Sequence, residues 1–191
     1  ETLENTSGLK SGQDFGLVYN PILSADSSIT DLELKIAAND QTSLSAASTI
    51  LKTITRKVKE INDVKMAETA ILFTIAKQDA NRALANELSV FCEIANTDYF
   101  KILKLLELDD PSFWPTIVEE ENRNESYLLL DSAENLNAKL KLPALARQIN
   151  EDMVKHAVNL TQDSLRSAGK PLRRAKIAVL GTANPASATD I

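Results

Sequence analysis

The strongest constraint in this sequence is a long stretch that nothing interrupts. Residues 66–96 contain no glycine or proline, and apolar residues recur there at helical spacing. Met66, Ala70, Phe73, Ala80, Leu84, Leu88 and Phe91 fall on one face, and Ile71, Leu72, Ile75 and Val90 widen it. A helix of roughly 30 residues spans about 45 Å, more than a small domain needs. Apolar residues nearly all round predict burial on several sides, the pattern of a dimer-core or interdomain helix.

What flanks this stretch reads differently. Residues 15–19 (FGLVY) predict a strand ended by Asn20-Pro21, and residues 32–38 (LELKIAA) predict a second ended by Asn39-Asp40. The period then changes: Leu44, Ala47, Ile50, Leu51, Ile54 and Val58 make a helical stripe over residues 42–58, with Thr42 or Ser43 placed to cap it. After the long helix, Thr97 is placed to cap a shorter one through Leu108, stopped by Asp109-Asp110-Pro111. Residues 111–125 read as a loop, and helices are expected over 126–139 and 143–168, the latter with the stripe Leu145, Ile149, Met153, Ala157 and Leu160 and Gly169 as its stop. Residues 176–180 (KIAVL) read as a short buried strand, and the basic patch over 170–176 as a solvated turn before it. The order predicts a mostly α fold with a minor α/β part.

Composition narrows the chemistry. The chain holds 5 glycines in 191 residues, well under half the usual share of about 7%. No G-x-G-x-x-G or G-x-x-x-x-G-K-[ST] string occurs, so a complete phosphate-cradling loop is not expected. With 21 basic against 27 acidic residues, a net of −6, no nucleic-acid partner is expected. Cys92 has no partner for a disulfide, and with His156 alone it cannot build a zinc site. No apolar run approaches the ~20 residues of a transmembrane segment.

Several residues invite a functional reading beside a plainer one. His156 has no orienting neighbour in sequence, so a surface or helix-packing role outweighs a general base. Glu119, Glu120 and Glu121 read as a solvated acidic turn before a cation site. Phe113 and Trp114, with Pro115, form either a partner-binding knob or a loop anchor. Asn86 and Glu87 are expected as buried hydrogen-bonding residues. N-x-[ST] sequons at Asn5, Asn124 and Asn159, with Glu1 in place of an initiator Met, permit an exported, glycosylated protein; chance sequons in a cytoplasmic chain are at least as well supported.

Three segments carry a family resemblance. AETAILFTIAKQDANRALANELSVFCE (67–93), with its ALANEL core, resembles the central helix of the UDP-glucose/GDP-mannose dehydrogenases, the nucleotide-sugar dehydrogenases. ALARQINEDMVKHAVNLTQDSLRSAGKPLRRAKIAVLGTA (144–183) is similar to that family's return helix and the first strand of its C-terminal domain. SGLKSGQDFGLVYNP (7–21) looks like the late part of its NAD domain. The resemblance implies two Rossmann-like domains joined through a helical dimerisation domain. It also implies NAD-dependent oxidation of a sugar C6 alcohol through a thiohemiacetal on cysteine. It divides the chain into a remnant of the N-terminal domain at 1–64, a helical oligomerisation domain at 65–170 and the first C-terminal strand at 171–191.

The resemblance also places the family's chemistry. A glutamate is expected where Ile22 follows Pro21, a lysine three residues after Glu68 where Ile71 stands, and an asparagine where Ile75 stands. The nucleophilic cysteine falls at Glu120 or Glu121, and its following Asp near Asn124 or Glu125. The Phe-Lys pair expected after Gly181 is replaced by Asn184-Pro185, and Cys92 lies in the long helix at a packing position. A glutamate cannot form a thiohemiacetal, and isoleucines donate no hydrogen bond to an oxyanion. The expectation is therefore a catalytically inactive relative or fragment that binds no cofactor and no metal. It should assemble as a homo-oligomer through helix 66–96, with Phe113, Trp114, Phe73, Leu84 and Leu88 at interfaces. The alternatives are a piece of an active NAD-dependent UDP-sugar 6-dehydrogenase needing a companion chain, and an exported self-assembling structural protein.

Overall fold

The structure is a computed structural model describing residues 2–21, 33–55, 57–108, 110–117 and 120–178, without the side chains of 120–125. The fold is mostly α with a small sheet. In order come α1 (Thr2–Ser7), β1 (Val18–Tyr19), β2 (Leu34–Ala38), α2 (Gln41–Leu51), β3 (Val58–Ile61) and α3 (Val64–Ile94). They are followed by α4 (Tyr99–Leu105), a 3-10 turn (Pro111–Phe113), α5 (Glu120–Asn135) and α6 (Lys141–Ser167).

β2, α2 and β3 form one crossover unit. β2 pairs parallel to β3, with Leu34 opposite Val58 and Ala37 opposite Ile61, and β1 pairs antiparallel on the other edge of β2. Parallel neighbours require such a crossover. Its core is apolar: Ile36, Ala38 and Leu44 are buried, with Val18, Ala47, Leu51 and Val58 against them. Gly16 lets the incoming chain approach α2, since a Cβ there would lie 2.8 Å from Ser43 Oγ. Ser48 on α2 donates to Glu60 on β3, tying helix to strand.

This unit corrects the sequence reading of residues 42–58 at both ends of the helix. The expected helix over 42–58 ends at Leu51, and Val58 opens a strand. Ile50 and Ile54 are exposed instead of buried. The β-branched run Thr53-Ile54-Thr55 disfavours helix, so helical spacing across it was coincidental. The cap is also a different residue: Asp40 accepts from Ser43 N at 2.7 Å.

α3 runs the length expected and begins on Asp63, whose side chain accepts from Met66 N. It packs most extensively on α6, and also on α5 and β2. α4 starts on Asp98 in place of Thr97, and α5 starts at Glu120, inside the loop expected over 111–125, of which Pro111–Phe113 form a 3-10 turn. α6 begins at Lys141, two residues before Pro143. Residues 176–178 lie in no strand, and the rest of the expected strand at 176–180 lies outside the described residues.

The ends of α3, α4, α5 and α6 share one device. In each, a residue in the left-handed region closes the helix: Asn96, Glu107, Asn137 and Gly169. The next amide then bonds back five residues, as from Thr97 N to Cys92 O at 2.9 Å and from Leu108 N to Leu103 O at 3.0 Å. Only one of the four uses glycine, which is how a glycine-poor chain still turns sharply.

Candidate functional site

The two sides of α3 differ in exposure within the chain. The expected stripe is on the outside of the chain: Met66, Phe73, Leu84, Leu88 and Phe91 are 64%, 63%, 47%, 44% and 64% exposed. The buried face is Ala67, Ile71, Ile75, Asp79, Ala83, Asn86 and Ser89. It consists of small and polar residues apart from the two isoleucines. α6 does the same, burying Ala146, Arg147 and Asn150 while Leu145 and Leu160 stay exposed.

Between those faces lies a buried polar network. Asp79 Oδ1 stands 3.3 Å from Arg147 Nη1, with both side chains at most 5% exposed. Asn150 Nδ2 donates to Asp79 O at 3.0 Å and to Asp79 Oδ1 at 2.9 Å. Asn86 Nδ2 donates to Asn150 Oδ1 at 2.9 Å. Asn86 also forks onto Thr116, donating to its carbonyl at 3.0 Å and accepting from its amide at 2.8 Å. The guanidinium lies 6.0 Å from the Tyr127 ring centre, and its Nε and Nη1 have no hydrogen-bond partner among the described residues. Buried charges are held this way because an unpaired one costs several kcal/mol.

Ile71 and Ile75, the positions where the resemblance expects Lys and Asn, sit one turn apart on the buried face near its start. They supply hydrocarbon and no donors. Ile22 lies outside the described residues. Glu120 and Glu121 fall in the first turn of α5, which is helix where a loop was expected.

His156, without an orienter in sequence, has one in space: Nε2 lies 2.8 Å from Glu93 Oε2, on the last turn of α3. This pair lines the rim of a cavity of about 330 Å³ between α3, α4 and α6, whose wall includes Cys92, Pro115, Ile117, Met153 and Leu160. Cys92 is buried with Tyr99 and Leu103, and Phe113 packs on them. Burial holds the Tyr99 hydroxyl above the usual phenol range, and it donates to Phe113 O at 2.8 Å. Trp114 is 48% exposed. Asn86 is buried as expected, but Glu87 is exposed, a correction that follows from its place one residue round the helix. Asn5 and Asn159 lie exposed on helices.

Among the described residues no three His, Cys, Asp or Glu side chains converge as a metal site, and no helix is long and apolar enough to cross a membrane. The constellation offers apolar contact and buried hydrogen bonds.

No protein-family model matches the sequence, and none of the curated proteins matches it. Solved structures do match the fold, and they are nucleotide-sugar dehydrogenases, the class that the sequence resembles. One is a UDP-D-ManNAc dehydrogenase from Pyrococcus horikoshii, with a TM-score of 0.77 and 23% identity over 88% of this chain and 42% of that one. An NDP-N-acetyl-D-galactosaminuronic acid dehydrogenase from Methanosarcina mazei Go1 matches with a TM-score of 0.70 and 23% identity, covering 88% and 40%. A UDP-glucose dehydrogenase from Pyrobaculum islandicum gives 0.71 and 17%, covering 81% and 38%. The likeness is one of fold, and the chain spans about two fifths of the length of these proteins.

Proposed function

We propose that this chain is a catalytically inactive relative or fragment of a nucleotide-sugar dehydrogenase, serving as a helical oligomerisation module. The observation that carries the reading is the division of α3. Its buried face holds Ile71 and Ile75 where the resemblance expects donors. Its outer face presents Phe73, Leu84, Leu88 and Phe91 to solvent in the single chain. A row of large apolar side chains along one long helix is a surface that a second copy covers. In this reading residues 1–64 descend from an NAD-type domain, 65–170 form the assembling unit, and 171–191 correspond to the first strand of a C-terminal Rossmann-like domain.

Light scattering at micromolar concentration tests the assembly, and a monomer there overturns it. Thermal shift with NAD and with a UDP-sugar tests the loss of chemistry, with no shift expected from either. A shift with both favours the second reading, in which this chain is one piece of an active UDP-sugar 6-dehydrogenase completed by a companion. The short coverage of the matched structures is what supports that alternative.

A further inference from the structure

Residues 110–117 cross from α4 back over α3 without joining any strand or long helix. Their shape is kept from within. Asp110 Oδ1 accepts from Ser112 N at 2.8 Å, Phe113 N donates to Asp110 O at 2.9 Å, and Trp114 N donates to Pro111 O at 3.0 Å. Among the described residues, hydrogen bonds fasten this segment to the helices at two places. One is the Tyr99 hydroxyl on Phe113 O, and the other is the Asn86 fork on Thr116. Beneath it lie Cys92, 5% exposed, and the cavity walled by Pro115 and Ile117.

We propose that residues 110–117 are a strap that opens as a unit, uncovering Cys92 and the apolar cavity beside it. A segment with its own internal bonds, fastened by hydrogen bonds at two places among the described residues, can lift without unfolding the helices it crosses. Thr116, Trp114 and Ile117 are exposed, so the apolar area that lifting must uncover is chiefly that of Phe113, packed on Cys92, Tyr99 and Leu103, and of Pro115.

Cys92 is the sole cysteine and Trp114 the sole tryptophan, so both ends of the event can be read in the full chain. The experiment follows labelling of Cys92 by a nitrobenzoate disulfide reagent across a urea series, alongside circular dichroism. Labelling that depends on urea much less steeply than global unfolding is the expected result. Thr116→Pro deletes the strap's amide donor and Tyr99→Phe deletes the other fastening. Each should speed labelling about fivefold, the worth of one hydrogen bond, and shift Trp114 emission. Thr116→Ala keeps the backbone fork and should label at the parent rate. A urea slope equal to that of global unfolding overturns the strap, as do three variants that label alike. Should Thr116→Pro fail to fold, Tyr99→Phe and the urea slopes decide.

Discussion

The two faces of α3 invert the usual assignment of inside and outside. The outer face carries the large apolar side chains, Phe73, Leu84, Leu88 and Phe91, while the inner one carries Asp79, Asn86 and Ser89 among alanines. α3 and α6 meet through small residues, and Asp79, Arg147, Asn150 and Asn86 form a buried network of charge pairing and hydrogen bonds between them. An apolar seam adheres in many registers, whereas hydrogen bonds with fixed partners are met in one. The inner face thus sets register, while the outer face leaves its large apolar side chains exposed in the single chain.

Four perturbations separate these roles. The largest effect is expected from Asp79→Ala, which leaves the Arg147 guanidinium buried without its carboxylate. That should cost about 3–5 kcal/mol in chemical denaturation. An Asp79→Leu, Arg147→Met double variant should recover most of that loss, because a buried pair is replaceable by hydrocarbon. If the double variant is as unstable as the single one, the network contributes more than charge pairing. Ile75→Ala follows, at about 3 kcal/mol for a cavity on the same face, read by the same titration. Leu84→Glu with Leu88→Glu should change the stability of a monomer by less than about 0.5 kcal/mol per site. It should nevertheless abolish the higher-mass species in light scattering. Equal loss of stability from the two faces would erase the distinction between them.

The smallest effect is that of pH. Asp40, Asp98 and Asp110 are each held below the usual aspartate range, chiefly by a backbone amide that donates to the carboxylate: Ser43, Lys101 and Ser112 in turn. A lowered folded value means that the contribution is present above the unfolded value near 3.9. It is lost as the pH falls through the lower folded values. Thermal midpoints should therefore be level above about pH 5 and decline below about pH 4. A midpoint that rises on acidification in that window would contradict the assignment.

Much of the architecture was legible in the residues. The unbroken stretch from 66 to 96 announced a long helix, and LELKIAA announced β2, because propensity and periodicity agree there. β3 was hidden because Val58 and Ile61 continue a helical spacing by accident. The buried face of α3 was hidden for a deeper reason: its partners are Arg147 and Asn150, about seventy residues away, and periodicity reports size and polarity but not pairing. The same holds for Glu93 beside His156. Ile71 and Ile75, where the resemblance expects Lys and Asn, are both buried.

The closing turns of the helices have a consequence for heat tolerance. Glu107 is held at φ +55° at the end of α4 and is exposed, with no glycine to make that conformation cheap. An L side chain in the left-handed region costs roughly 1–2 kcal/mol. Glu107→Gly should therefore raise the melting temperature, as seen by differential scanning calorimetry. A chain that economises on glycine in this way keeps an unused reserve of thermal stability in the residues just past the ends of its helices.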